Sequence, residues 1–164
     1  MGQIDQLLSA LGSEALPPAA PEDRRPSRRL AVLACMDTRL DVVTALGLRI
    51  GDAHILRNAG GRVTADVLRS LALSSHVLGT DTVLLMQHTG CGLTGVTDEY
   101  LRELTGADIE FLAIDDHVDS LRHDLAAIAN TPYLVLLEEI AGILYDIESG
   151  EIVHVERWDP SRRT

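Results

Sequence analysis

Leu30-Ala31-Val32-Leu33-Ala34-Cys35-Met36-Asp37-Thr38-Arg39 is the stretch on which the fold turns. Six residues without a charge or amide are followed at once by polar Met-Asp-Thr-Arg. A short apolar run of this kind suits a strand buried on both faces, as in a parallel sheet. Two more runs share the pattern. Ala53–Asn58 (AHILRN) leads into the glycine pair Gly60–Gly61, and Asp81–His88 (DTVLLMQH) leads into Thr-Gly-Cys-Gly. Between them, Val67, Leu68, Leu71, Ala72 and Leu78 recur at helical spacing, with Thr64 placed to cap the start and Gly79 to stop the end. Strand, helix and strand of these lengths predict a right-handed crossover unit.

Further along, Val118, Leu121, Leu125 and Ile128 share one helical face within 115–130, closed by Asn130 and Pro132. The acids at 115, 116, 119 and 124 are expected on its solvated face. Thr97, Asp98 and Glu99 read as another helix start. The segment 133–140 fits strand and helix equally. Near the end, two runs flank Glu148-Ser149-Gly150-Glu151 and predict a hairpin at the sheet edge. The fold class is therefore α/β: a mostly parallel central sheet with flanking helices and a C-terminal antiparallel hairpin at the edge. Upstream, Ile4, Leu7, Leu8 and Leu11 suggest a short amphipathic helix over 3–12, and 17–29 (PPAAPEDRRPSRR) an extended strap. The division expected is an arm over 1–27 and a domain over 28–164, the arm docking on a second subunit.

Composition narrows the function. The chain of 164 residues carries 25 acidic and 14 basic side chains, a net charge of −11, which opposes a nucleic-acid surface. All the basic side chains are Arg. No apolar run approaches the roughly 18 residues of a membrane span. The opening MGQIDQLLSALGSE lacks the basic n-region of a secretory signal. A cytoplasmic protein that engages neither nucleic acid nor membrane is expected. The two cysteines cannot form a disulfide scaffold and matter, if at all, as one pair, a metal site or a nucleophile.

Both cysteines begin loops after strand-like runs, where parallel α/β sheets bind ligands. His88 and Cys91, three residues apart across a glycine turn, can reach one ion, and Cys35 completes a Cys₂His set suited to Zn²⁺. Three protein ligands leave a fourth position open. Asp37 can fill or guard it, and Arg39 offers a planar fork that holds a carboxylate away. The remaining histidines, His54, His76, His117, His123 and His154, are read as packing or surface residues.

Cys35-x-Asp37-x-Arg39, then Arg57-Asn58-Ala59-Gly60, then His88-x-x-Cys91-Gly92 resemble the motifs of the β-class carbonic anhydrases. The likeness continues to Tyr145-Asp146-Ile147-x-x-Gly150 and spans about residues 28–157. It implies one Zn²⁺ per chain on Cys35, His88 and Cys91, with Asp37 a fourth ligand in a closed state. Asp37 and Arg39 would be the catalytic dyad. Asn58, Ala59 and Gly60 would support the pocket wall, and Gly92 would let the backbone turn beside the metal. The implied reaction is reversible hydration of CO₂ to bicarbonate and a proton. The implied assembly is a homodimer, or a tetramer of paired dimers, with N-terminal helices wrapping the partner.

Thr38 stands where Ser or Ala is usual and Gly61 where larger members carry Asn. The upstream Gln of plant-type members has no counterpart, and five aromatics are few for their pocket. These departures favour a small bacterial-type subclass. Two other readings use the same residues: a zinc hydrolase acting on a CO₂ analogue such as carbon disulfide, and a zinc-stabilised structural or regulatory module with Asp37 permanently on the metal. A redox disulfide leaves His88, Asp37 and Arg39 unexplained.

Overall fold

The computed structural model describes residues 3, 4, 6 and 23–158. The N-terminal helix expected over 3–12, and the strap up to residue 22, lie largely outside the described residues. The end of the strap is pinned rather than free: the amides of Ser27 and Arg28 donate to the carbonyls of Gly51 (2.9 Å) and Asp52 (3.1 Å).

The described elements are β1 (Leu30–Cys35), α1 (Val42–Ala45), β2 (Ala53–Asn58), a tight turn at Ala59–Gly61, α2 (Ala65–His76), β3 (Thr82–His88), α3 (Asp98–Thr105), α4 (His117–Ala129), β4 (Glu139–Tyr145) and β5 (Ile152–Arg157). The sheet runs β2-β1-β3-β4-β5. Pairings from β2 through β4 are parallel, and β4–β5 is antiparallel. The hairpin thus contributes one antiparallel strand, because β4 itself joins β3 in parallel. The predicted strand, helix, strand unit spans β2, α2 and β3, with β1 inserted between its two strands.

Both faces of the central strands are buried, as their unbroken apolar character required. Ala31, Leu33, Val83 and Leu85 pack with Val67 and Leu71 of α2 and Leu121, Leu125 and Ile128 of α4. Val32, Ala34 and Met86 face the other way, against Leu40, Val42, Leu93 and Ile114. Thr64, Thr97 and Asp116 accept from the backbone amides of Val67, Tyr100 and Asp119 and cap α2, α3 and α4.

Of the ambiguous segment 133–140, only Glu139 and Ile140 are strand; residues 133–138 are neither strand nor helix. They form turns, with Leu134 and Leu137 buried, before β4 begins at Glu139. A second correction concerns α4. Asp124 is not on the solvated face but is buried with Arg62. It lies three residues after Leu121 and four before Ile128, within the apolar stripe.

Candidate metal centre

The strand order reverses between β1 and β3: the chain leaves β1 for β2 on one side and returns to β3 on the other. Ligands of open α/β sheets bind beyond the carboxyl ends of strands at such a point. Cys35 ends β1, His88 ends β3, and Cys91 follows three residues later. All three are buried, and one ligand atom from each lies within 4.8 Å of the others.

The donors fit Zn²⁺. Cys35 Sγ and Cys91 Sγ are 3.8 Å apart. A tetrahedral ion with zinc–sulfur bonds of about 2.3 Å separates two sulfurs by about 3.8 Å. His88 Nδ1 lies 2.8 Å from the carbonyl of Thr89, which can only accept. The ring proton therefore sits on Nδ1, leaving a lone pair on Nε2. His88 Nε2 is buried and has no hydrogen-bond partner among the described residues. A buried acceptor left unpaired beside two sulfurs is the arrangement a metal ligand requires. Burial pushes the Cys91 thiol pKa up, with its Cys35 neighbour adding to the rise. A bound cation reverses that effect and holds the thiolate.

Asp37 is turned to Arg39. Arg39 Nη2 donates to Asp37 Oδ2 at 2.7 Å and Nε to Oδ1 at 3.0 Å, while the Arg39 amide also donates to Oδ1 at 2.9 Å. These bonds hold the Asp37 carboxyl well below the usual carboxylate range. Arg39 Nη2 also reaches the carbonyl of Gly90, 3.0 Å away, tying the first motif loop to the third. Asp37 Oδ2 stands 3.7 Å from His88 Nε2. The carboxylate is thus at the rim of the metal site but engaged elsewhere.

A cavity of about 530 Å³ opens on this group, lined by Cys35, Asp37, Arg39, Gly60, Cys91 and Leu93 among others. Ala59 and Gly92 line it too, so all the residues expected at the site except Asn58 and the buried His88 border the cavity. Asn58 lies behind the wall. Its Nδ2 donates to the carbonyl of Arg62 (2.7 Å) and its Oδ1 accepts from the Arg62 amide (2.9 Å), closing the Ala59–Gly61 turn. The backbone reversal beside the ligands is made at Gly90, with φ +65°, and not at Gly92, where φ lies outside the left-handed range.

Other contributors were not assigned from sequence. Arg57, quoted only as part of a motif, donates to the carbonyls of Cys35 (2.9 Å) and Asp37 (2.6 Å) and holds the first motif loop on β2. Gln87 is buried on the sheet face away from His88. It accepts from His117 Nδ1 (2.8 Å) and donates to Ser120 Oγ (2.9 Å). His117 is therefore half-buried and bonded rather than simply exposed, and burial pushes its pKa down. His54 is a packing residue as expected, with Nδ1 2.7 Å from Ser74 Oγ.

A three-donor soft metal centre at the switch point of a parallel sheet defines the class: an α/β zinc-site protein. Comparison with known proteins narrows it. Residues 30–131 match the protein family described as carbonic anhydrase. The chain is 38% identical over 136 residues to β-carbonic anhydrase 1 of Mycobacterium tuberculosis, covering 79% of this chain and 83% of that one. It is 37% identical to the carbonic anhydrase of Streptococcus mutans, whose crystal structure superposes with TM-score 0.76 over 97% of this chain and 99% of that one. It is also 43% identical over 98 residues to carbon disulfide hydrolase of Saccharolobus solfataricus, over 58% of this chain and 48% of that protein. The chain belongs to the β-class carbonic anhydrase family.

Proposed function

We propose that this chain binds one Zn²⁺ through Cys35 Sγ, His88 Nε2 and Cys91 Sγ and catalyses the reversible hydration of CO₂ to bicarbonate and a proton. The observation that carries the reading is the unpartnered, buried His88 Nε2 beside two sulfurs, with Asp37 held by Arg39 at the cavity rim. Zinc, when bound, supplies Lewis acidity that brings the pKa of a water from 15.7 toward about 7.

The protein's own residues do the rest. Two thiolates donate more charge than two imidazoles, which weakens that acidification and places the optimum on the alkaline side. Asp37 could compete with water for the fourth position. With both its oxygens on Arg39, it leaves that face to water and accepts a hydrogen bond from the attacking molecule. Arg39 thereby orients Asp37, and the Gly90 carbonyl orients Arg39. Released from Arg39, the Asp37 carboxylate could itself take that fourth position, which would be the closed state. CO₂ is small and apolar and needs little more than the dry wall of Ala59, Gly60 and Leu93.

The test pairs zinc stoichiometry with CO₂ hydration from pH 6 to 9, for the wild type and Asp37→Ala. One zinc per chain in both, with activity lost in the variant, is the expected result. A zinc-loaded wild type inactive across that range refutes the reading. Carbon disulfide is assayed in parallel, because the carbon disulfide hydrolase relatives support it as a second substrate; hydrolysis of carbon disulfide alone would reassign the substrate.

The same reading places the protein in the cytoplasm as a homodimer, or a tetramer of dimers, with 1–27 as a partner-wrapping arm. Two buried thiols 3.8 Å apart need a reducing compartment to remain metal ligands. Among the described residues no helix is long and apolar enough to cross a membrane. Ile152, Val153 and Val155 leave the outer edge strand apolar and half exposed, which supports self-association.

A further inference from the structure

The mechanism uses the Asp37 side of the cavity and leaves its apolar wall without an agent. That wall is held by a buried ion pair. Leu93 packs so tightly on the Ala59–Gly61 turn that a Cβ on Gly60 would stand 2.7 Å from Leu93 Cδ1 and 3.3 Å from Ile114 Cδ1. The Ile114 amide donates to the Leu93 carbonyl at 3.0 Å. Just before it, Leu112 adopts φ +58°, a strained conformation for a non-glycine residue.

Arg62 joins these pieces. Its backbone closes the turn through Asn58, as described above. Its Nη1 donates to the carbonyl of Leu112, at the strained residue, and lies 3.4 Å from that of Ala113. Its Nε and Nη2 run to Asp124 Oδ2 (2.7 Å) and Oδ1 (3.3 Å) on α4. The two side chains are only 6% and 1% exposed. Burial pushes the Asp124 carboxyl up, against the pull of Arg62. Stability alone does not account for such a pair, since well-packed apolar residues of similar volume usually serve as well or better. A fork with several donors can hold several segments in register at once, and here it joins the turn, the Leu112–Ala113 segment and α4.

We propose that Arg62 and Asp124 are positioning residues that set the Gly60–Leu93 wall, and with it the space in which CO₂ meets the attacking water. The proposal rests on the CO₂ reading above. Its test compares the wild type with Arg62→Met, Asp124→Leu, the double variant and Arg62→Lys. Melting temperature, metal content, and kcat and KM for CO₂ are measured for each. Either single apolar variant lowers the melting temperature. The double variant regains wild-type melting and one metal per chain, yet its kcat/KM stays down about 10- to 100-fold, mainly through KM.

Recovery of both melting temperature and KM in the double variant overturns the proposal and leaves the pair structural. If the double variant fails to fold, Arg62→Lys decides. Lysine keeps the charge but lacks the fork, so a raised KM in a folded, metallated protein supports positioning and a wild-type KM overturns it. If the wild type binds zinc but does not hydrate CO₂, the parent reading fails separately. The wall is then read from thiocyanate affinity in the Co²⁺-substituted protein, by its absorption spectrum. Binding about ten-fold weaker in the double variant or in Arg62→Lys supports the proposal, and unchanged binding overturns it.

Discussion

Gly61→Ala should destabilise the protein through the sheet itself, and its cost can be separated into two parts. Gly61 has φ +63° and ends the Ala59–Gly61 turn. A Cβ there would lie 3.0 Å from Ala34 C, 3.0 Å from the Cys35 amide nitrogen and 3.2 Å from the Met86 carbonyl oxygen. All three are backbone atoms of β1 and β3, paired through five residues, so no side chain can rotate aside. The backbone conformation alone costs an alanine about 1–2 kcal/mol. The intrusion adds roughly 1–3 kcal/mol, as other overpacking does. The sum, about 2–5 kcal/mol, converts to a fall of roughly 4–20 °C at ~2–4 °C per kcal/mol.

Gly47→Ala is the control. Gly47 has φ +61°, and a Cβ there meets nothing within 4 Å among the described residues, so it reports the conformational part alone. The excess of Gly61→Ala over Gly47→Ala in thermal or urea denaturation is the steric part. Zinc content is measured with it, because displacing the Cys35 amide moves a proposed ligand. Equal losses in the two variants would refute the close approach of the turn to the strands. A full zinc complement in a strongly destabilised Gly61→Ala would refute the link to the ligand.

Two further outcomes are expected. Arg39→Ala should retain zinc but lose about 10- to 100-fold in CO₂ hydration, since it removes the group that aims Asp37; unchanged activity with intact metal would show that Asp37 needs no anchor. Asp98 accepts from the amides of Ala113 (2.8 Å) and Phe111 (2.9 Å), which hold its carboxyl below the ordinary value. A depressed folded-state pKa stabilises above the unfolded value near 3.9 and loses that stabilisation as pH falls through the folded value. The stability gap between the wild type and Asp98→Ala should thus be largest near pH 7 and shrink below about pH 4; a gap that is constant with pH would remove the carboxylate from the account.

Much of the scaffold was legible because its signals are local. The uninterrupted run Leu30–Cys35 is a central strand with residues of both parities buried, and it could be read without partners. Thr64 and Thr97, read as helix starts, cap their helices through side-chain chemistry that depends on a few neighbours; Asp116, read only as a solvated acid, caps α4 in the same way. The proposed metal donors were legible for a different reason: Cys35 and His88 end strands and Cys91 follows three residues on, so the parallel sheet brings distant positions to one edge. What was not legible depends on contacts between segments. Asp124 sits on the apolar stripe of α4, but its partner is Arg62, 62 positions away. His117 bonds to Gln87 across 30 positions. The glycine that turns the backbone could be assigned to Gly92 as easily as to Gly90, because spacing does not reveal φ. The stretch 133–138 alternates poorly because Leu134 and Leu137 are buried from turns, where neither helical nor strand period applies.

In the proposed site, the arrangement of charge gives each of the two arginine forks its own task. Two thiolates neutralise Zn²⁺, so Asp37 gains little by leaving solvent for the metal unless nothing else holds it. Arg39 is that holder, but it is more than half exposed and can be screened. Its grip depends on the Gly90 carbonyl being in place, and Gly90 precedes the proposed ligand Cys91. Arg62 and Asp124, by contrast, are shielded from salt and fix the wall on which Leu93 lies, two residues after Cys91. One loop, Thr89–Leu93, thus answers to an exposed fork at one end and a buried fork at the other. Salt should therefore act on the Asp37 switch while leaving the wall unchanged. In the positioning experiment, the wild-type KM for CO₂ should stay flat between low and high ionic strength even where kcat moves; a KM that follows salt would place the wall under the control of Arg39 instead.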